Sequence, residues 1–240
     1  MKTIKKISHL LIILCLVVFS TVPISVKSES VEPRANIAQV TIYSTTANHH
    51  SWLVVKNVSS SPITIGHYYL YPNTSVSIGT WGNISQHKGI WYNLESALGN
   101  SNFSTHVSIS RYITSSSQLN SFNTAINSSD SWSLANTCSY FSGYVWCQTF
   151  SDKVNVGSSP SLLANSIKSL GGYTTNRSIP TTSYSNVYYH TSSGKVQCSN
   201  PIGGGSSSGS KATHGIQYVT SFTNDELEYI NSLFNCEGGY

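Results

Sequence analysis

The sequence predicts an α+β fold, an antiparallel sheet followed by helices, on three observations. Between Asn36 and Ile113, short runs rich in Val, Ile, Thr, Tyr and Trp are separated by clusters of Asn, Ser, Pro and Gly. After Thr114 the apolar residues recur at spacings of three and four, the helical period. The 240 residues are 39% hydrophobic and 11% aromatic, which is enough to bury a core and too apolar for disorder.

The elements follow in order. Met1 to Lys6 is basic and Leu10 to Phe19 is apolar, a run too short to span a membrane and shaped like a secretory signal. Val26 and Ser28 place tolerated residues before a cut, so cleavage is expected after Ser28 and residues 1–28 are excluded from the fold. Strands are expected at Ile37–Tyr43, Trp52–Val58, Ile63–Tyr71, Ser75–Trp81 and His106–Ile113. In the last two, apolar Val76, Ile78, Val107 and Ile109 alternate with small polar residues, leaving one dry face.

Thr114 can cap a helix to about Asn127, with Leu119, Phe122 and Ile126 as its stripe. Asn136-Thr137 caps a second helix, with Phe141, Tyr144 and Val145 inward. Ser159-Pro160 opens a third, closed by Gly171-Gly172. Residues 29–175 are taken as one domain and 176–240 as a C-terminal extension. The extension holds a hairpin around His190–Gly194, a Gly/Ser linker at 203–210, and a final helix opened by the capping box Thr223–Glu226.

Charge excludes several functions. Only 9% of the chain is charged, against about 25% in a typical soluble domain. Ser, Thr and Asn supply the polarity, with 46, 21 and 20 copies. The formal charge of +4 belongs to Lys2, Lys5, Lys6 and Lys27; after residue 28, nine basic residues meet nine acidic ones. Nucleic-acid binding needs clustered Lys and Arg, so no nucleic-acid partner is expected. No integral membrane segment is expected after processing, and the protein is expected to be a secreted or cell-surface monomer.

The chemistry-bearing residues are few. The mature chain has seven His, nine carboxylates and the four cysteines Cys138, Cys147, Cys198 and Cys236. It has no Gly-rich phosphate loop, no Cys-x-x-Cys and no His-Glu-x-x-His, so neither a cofactor nor a metal is expected. In an oxidising compartment the four cysteines could make two disulfides. Cys138 stands apart, because it falls in the first turn of an expected helix. Unsatisfied N–H groups and the helix dipole favour the thiolate there. A base is offered by His50, at the head of the run His50-Ser-Trp-Leu-Val-Val, and His67 lies in the next run. His49 points to the opposite strand face from His50. A cysteine facing two histidines on neighbouring strands would combine nucleophile, base and orienting group.

These residues resemble the circularly permuted papain-like, NlpC-type cysteine peptidases and amidases. His50-Ser-Trp-Leu is similar to their Gly-His-Ala-Phe-type motif, and Asn136-Thr-Cys138-Ser-Tyr-Phe141 to their Asn-Cys-x-x-Phe-Ala motif. The stretches Ser77–Trp81 and Gly89–Glu95 resemble those of bacterial secreted members, and the likeness covers about residues 36–175. Two positions depart from the pattern: Thr137 stands where many members have Asn, and His49 where a glycine is usual. The resemblance implies a permuted papain-like fold and a thiol hydrolase cleaving an amide in a peptide or cell-wall peptide. Cys138 would attack the carbonyl, His50 would move the proton, and the Cys138 backbone N–H would help hold the oxyanion.

His67 would orient His50, with His87 its rival for that place. Trp81, Trp91 and His87 would line the substrate groove, and Glu95 would anchor a substrate amine. The expected disulfide joins Cys198 to Cys236. Two alternatives stay open: a secreted non-catalytic binding protein with Cys138 in a disulfide, and an acyltransferase or esterase using the same Cys-His pair.

Overall fold

The computed structural model describes residues 35–45, 50–82, 84, 86–103, 105–157 and 159–198. The signal segment and its cut after Ser28, the linker 203–210, the last helix and Cys236 lie outside the described residues. The strands are β1 (Ala38–Thr45), β2 (His50–Asn57), β3 (Ile63–Ile65), β4 (Tyr68–Leu70), β5 (Ser75–Trp81), β6 (Gly89–Tyr92), β7 (His106–Ile113), β8 (Thr174–Thr175), β9 (Tyr188–Thr191) and β10 (Gly194–Gln197). The helices are α1 (Leu94–Leu98), α2 (Ser116–Asn127), α3 (Cys138–Thr149) and α4 (Pro160–Ser169).

The fold is α+β. Eight strands form one sheet in the order β10-β9-β6-β5-β2-β1-β7-β8, every pairing antiparallel. The centre is β1 against β2, running from Thr45 opposite His50 to Ala38 opposite Asn57. Both faces of this centre are dry, which fits the continuous apolar run Trp52–Val55 in β2, while β1 alternates and buries its hydroxyls as well. Leu53, Val55, Val76, Ile78 and Ile109 pack with Phe122, Phe141, Val145 and Ile167 of the three long helices. Tyr43, Trp52, Val54, Trp81 and Trp91 pack on the other face with Leu94, Phe103, Ile179 and Val187.

Local chemistry accounts for the helix starts. Thr137 has extended backbone and its hydroxyl accepts from the Tyr140 N–H at 3.3 Å, capping α3. Pro160 takes the first position of α4, where its missing N–H costs nothing. The cap of α2 is Ser115 rather than Thr114; Ser115 Oγ accepts from Gln118 N at 3.2 Å.

The run Ile63–Tyr71 is not one strand. Gly66, at a φ of 57°, turns the chain into a separate β3–β4 hairpin outside the main sheet. Asn123 of α2 pins that turn, accepting from Gly66 N–H at 2.8 Å and donating to Thr64 O at 3.0 Å. Hydrophobic residues on both sides of Gly66-His67 make the two short strands read as one.

The boundary set at 175 also fails to separate two units. β8 pairs with β7, and β9 pairs with β6 through Trp91–Tyr189 and Tyr92–Tyr188, so residues 174–197 complete the main sheet. The hairpin expected around His190–Gly194 forms, as β9 and β10.

Candidate active site

The site forms where β2 begins. His50 is the first residue of β2 and Cys138 the first of α3, and the two side chains are hydrogen-bonded. The neighbouring β2 residue, Ser51, points to the helix face. There its hydroxyl meets Ser139 Oγ at 3.2 Å and Ser44 Oγ at 2.9 Å, and Ser44 donates to Pro160 O at 2.7 Å. This buried hydroxyl chain ties the starts of α3 and α4 to β1 and β2, and so fixes where Cys138 stands.

Behind His50 sits Glu95. The imidazole Nε2–H donates to Glu95 Oε1 at 3.0 Å, and Glu95 is fully buried. Nδ1 is then the ring nitrogen left for the thiol. Three aromatic rings pack against the imidazole: Trp81 at 4.2 Å between centroids, Trp52 at 5.7 Å and Phe103 at 5.8 Å. Trp81 also donates its indole N–H to Glu95 Oε1 at 2.8 Å. Phe103 is held in turn by His106, whose ring nitrogens face Phe103 O at 2.7 Å and Arg177 O at 2.8 Å.

The electrostatics follow from these contacts. Burial alone would lower the His50 pKa, but the Cys138 sulfur beside it and Glu95 behind it outweigh that and raise it to about 9. Burial alone would raise the Cys138 pKa; His50, the Ser51 backbone and the Ser139 hydroxyl lower it. Both shifts favour a thiolate–imidazolium pair, the nucleophilic form of a cysteine. Cys138 is in no disulfide, so the disulfide required by a non-catalytic reading is not formed.

Glu95, and not His67, is the group hydrogen-bonded to the far nitrogen of His50. His67 lies in the β3–β4 turn, its backbone N–H donating to Tyr92 Oη at 2.9 Å and its ring stacked on His190 at 4.2 Å. His87 is engaged elsewhere too, with Nε2 3.1 Å from Asp130 Oδ1 and its ring stacked on Tyr189 at 4.6 Å. Glu95 cannot anchor a substrate amine, because no part of it reaches solvent. Trp91 is likewise fully buried, its indole donating to His87 O at 3.1 Å, and lines no groove. Trp81 is buried against the imidazole rather than spread along a cleft.

Glu95 carried a readable signal. It is the only carboxylate between Glu32 and Asp130, in the apolar stretch Trp91-Tyr-Asn-Leu-Glu-Ser-Ala-Leu98. An acid that folding buries in such a stretch must be paired.

The expected Cys198–Cys236 disulfide does not form, since Cys198 is a half-buried free thiol. Its environment is built by the hairpin: the Cys198 N–H donates to Val187 O at 3.0 Å, and the side chain packs on the Trp-rich cluster. Cys147 is buried on α3, its sulfur 3.3 Å from Val154 O. His49 lies outside the described residues. Among the described residues there is no cluster of His, Cys, Asp and Glu fit to hold a metal, and no helix long and apolar enough to cross a membrane.

Comparison with protein-family models, curated proteins and solved structures finds no match to this chain.

Proposed function

We propose that this chain is an exported thiol hydrolase of permuted papain-like type, cleaving an amide bond in a peptide or cell-wall peptide. The observation that carries the reading is the Cys138–His50–Glu95 alignment, a helix-start thiol on an imidazole whose far nitrogen is held by a buried carboxylate. The order along the chain, base on a strand, acid, then nucleophile at a helix start, supports the permuted type.

The reaction runs through an acyl-enzyme. The Cys138 thiolate attacks the carbonyl carbon, and the negative charge moves to the carbonyl oxygen. The Cys138 backbone N–H and the N-terminal end of α3 stabilise that oxyanion. Collapse breaks the C–N bond, and His50 gives its proton to the departing amine. Water then attacks the thioester while His50 takes a proton from it; collapse releases the acid and restores the thiolate–imidazolium pair. Glu95 keeps its hydrogen bond from Nε2–H, holding the ring so that Nδ1 faces the sulfur. An alcohol or amine replacing water would make the same site an acyltransferase, and an ester substrate would be cleaved in the same way.

The test starts without a known substrate. Iodoacetamide should label Cys138 with a midpoint well below the ~8.5 of a free thiol, and hydrolysis of a peptide-amide library should vanish in Cys138→Ala. Labelling like an ordinary thiol, or a Cys138→Ala protein that still hydrolyses, would overturn the reading.

A further inference from the structure

Resting on that reading, we infer that Trp81 is a positioning residue, its indole N–H locking Glu95 Oε1 toward His50. The case begins with the carboxylate. Glu95 has no exposed surface, and its Oε2 is buried without a hydrogen-bond partner. A buried carboxylate is stable as an anion only where donors compensate it. Here both donors act on one oxygen, His50 Nε2–H at 3.0 Å and Trp81 Nε1–H at 2.8 Å. His50 keeps its Nε2–H on that oxygen while Nδ1 exchanges the proton, so its own charge alternates through the cycle. The indole N–H never titrates and remains a donor throughout.

Trp81 has a second reason to be in place. Its ring lies 4.2 Å from the imidazole at 38°, so one side chain contacts both the base and the acid. It is 8% exposed and ends β5, and the same strand supplies Gly79, next to the Glu95 carboxyl. The titratable group facing His50 from α3 is Cys138. From β7 and β1, His106 and Tyr43 reach the ring of Trp52 instead. The side-chain donors to the Glu95 carboxyl are therefore His50 and Trp81.

Removing only the indole N–H should free the Glu95 carboxyl to turn away from His50 Nε2–H, weaken its hold on the imidazolium and push thiolate formation to higher pH. Trp81→Phe is expected to move the iodoacetamide labelling midpoint of Cys138 up by about one pH unit, roughly a tenfold loss of thiolate at pH values below it. Glu95→Gln should shift the midpoint in the same direction, and Trp81→Phe added to Glu95→Gln should shift it no further. A ring that served only as packing would lower the melting temperature and leave the midpoint unmoved.

Should Trp81→Phe not fold, the Trp81 indole 1H–15N resonance answers the question in wild type and Glu95→Gln, moving between the two as a carboxylate acceptor becomes an amide. An unmoved midpoint in folded Trp81→Phe, additive shifts in the double variant, or an unmoved indole resonance would each overturn the inference. A wild-type midpoint at the ordinary thiol value would instead sink the hydrolase reading itself.

Discussion

At the scale of single residues, the site depends on a missing side chain. Gly79 sits in the middle of β5, where a Cβ would come 2.1 Å from Glu95 Oε1 and 3.2 Å from His50 Nε2. No other residue leaves room for the carboxylate to reach the imidazole. Gly79→Ala should therefore displace Glu95, cost about 1–3 kcal/mol in overpacking, and lower turnover by at least about tenfold. Thermal denaturation and kcat/KM measured on the same preparation check this; an unchanged kcat/KM would show that the carboxylate does not need its place. Cys138 and His50 were legible in the sequence because each occupies a telling local position, a helix start and a strand head. Glu95 was visible only as a lone acid. Its role depends on the pairing of β5 with β6 and on the short helix after β6, which no local pattern encodes.

At the scale of elements, the start of α3 decides where the nucleophile stands. Thr137 caps it, and the Ser44–Ser51–Ser139 hydroxyls tether it to the strands beneath. Thr137→Ala should destabilise the protein by about 1 kcal/mol. Some of that loss should appear as a higher labelling midpoint for Cys138, because the same first turn supplies the dipole that favours the thiolate. Chemical denaturation and the labelling curve measure the two effects separately. Helix starts were readable because capping and the Pro160 position are local rules. The β3–β4 reversal was not, since one glycine with positive φ turned the chain between two short runs of strand-forming residues. That turn carried His67 out of the main sheet and away from His50.

At the scale of the whole molecule, the scarcity of charge concentrates the electrostatics in one place. Within the described residues, the other ion pairs are His87–Asp130 at 3.1 Å and Arg111–Asp152 at 2.7 Å, both partly exposed. The fully desolvated one, His50–Glu95, belongs to the site. Because His50 is raised to about 9, the imidazolium is intact at neutral pH and loses its proton as the pH climbs through that value. Hydrolysis should accordingly fall away above about pH 9, when no acid remains for the leaving amine; a profile still rising at pH 10 would contradict this. The α+β class was legible in composition and periodicity. The joining of residues 174–197 to the same sheet was not, because β8 and β9 owe their place to strands far earlier in the chain.

That late joining bears on the site itself. Thr182 N–H donates to Ser96 O at 3.2 Å, Asn93 donates to Asn186 O at 3.2 Å, and β9 closes the open side of β6. All three brace α1, the helix that presents Glu95, and all three come after Cys138 in the chain. His50, Glu95 and Cys138 thus all precede in the chain the segment that braces the helix of Glu95, and a chain cut before Thr182 would carry the three side chains without that brace.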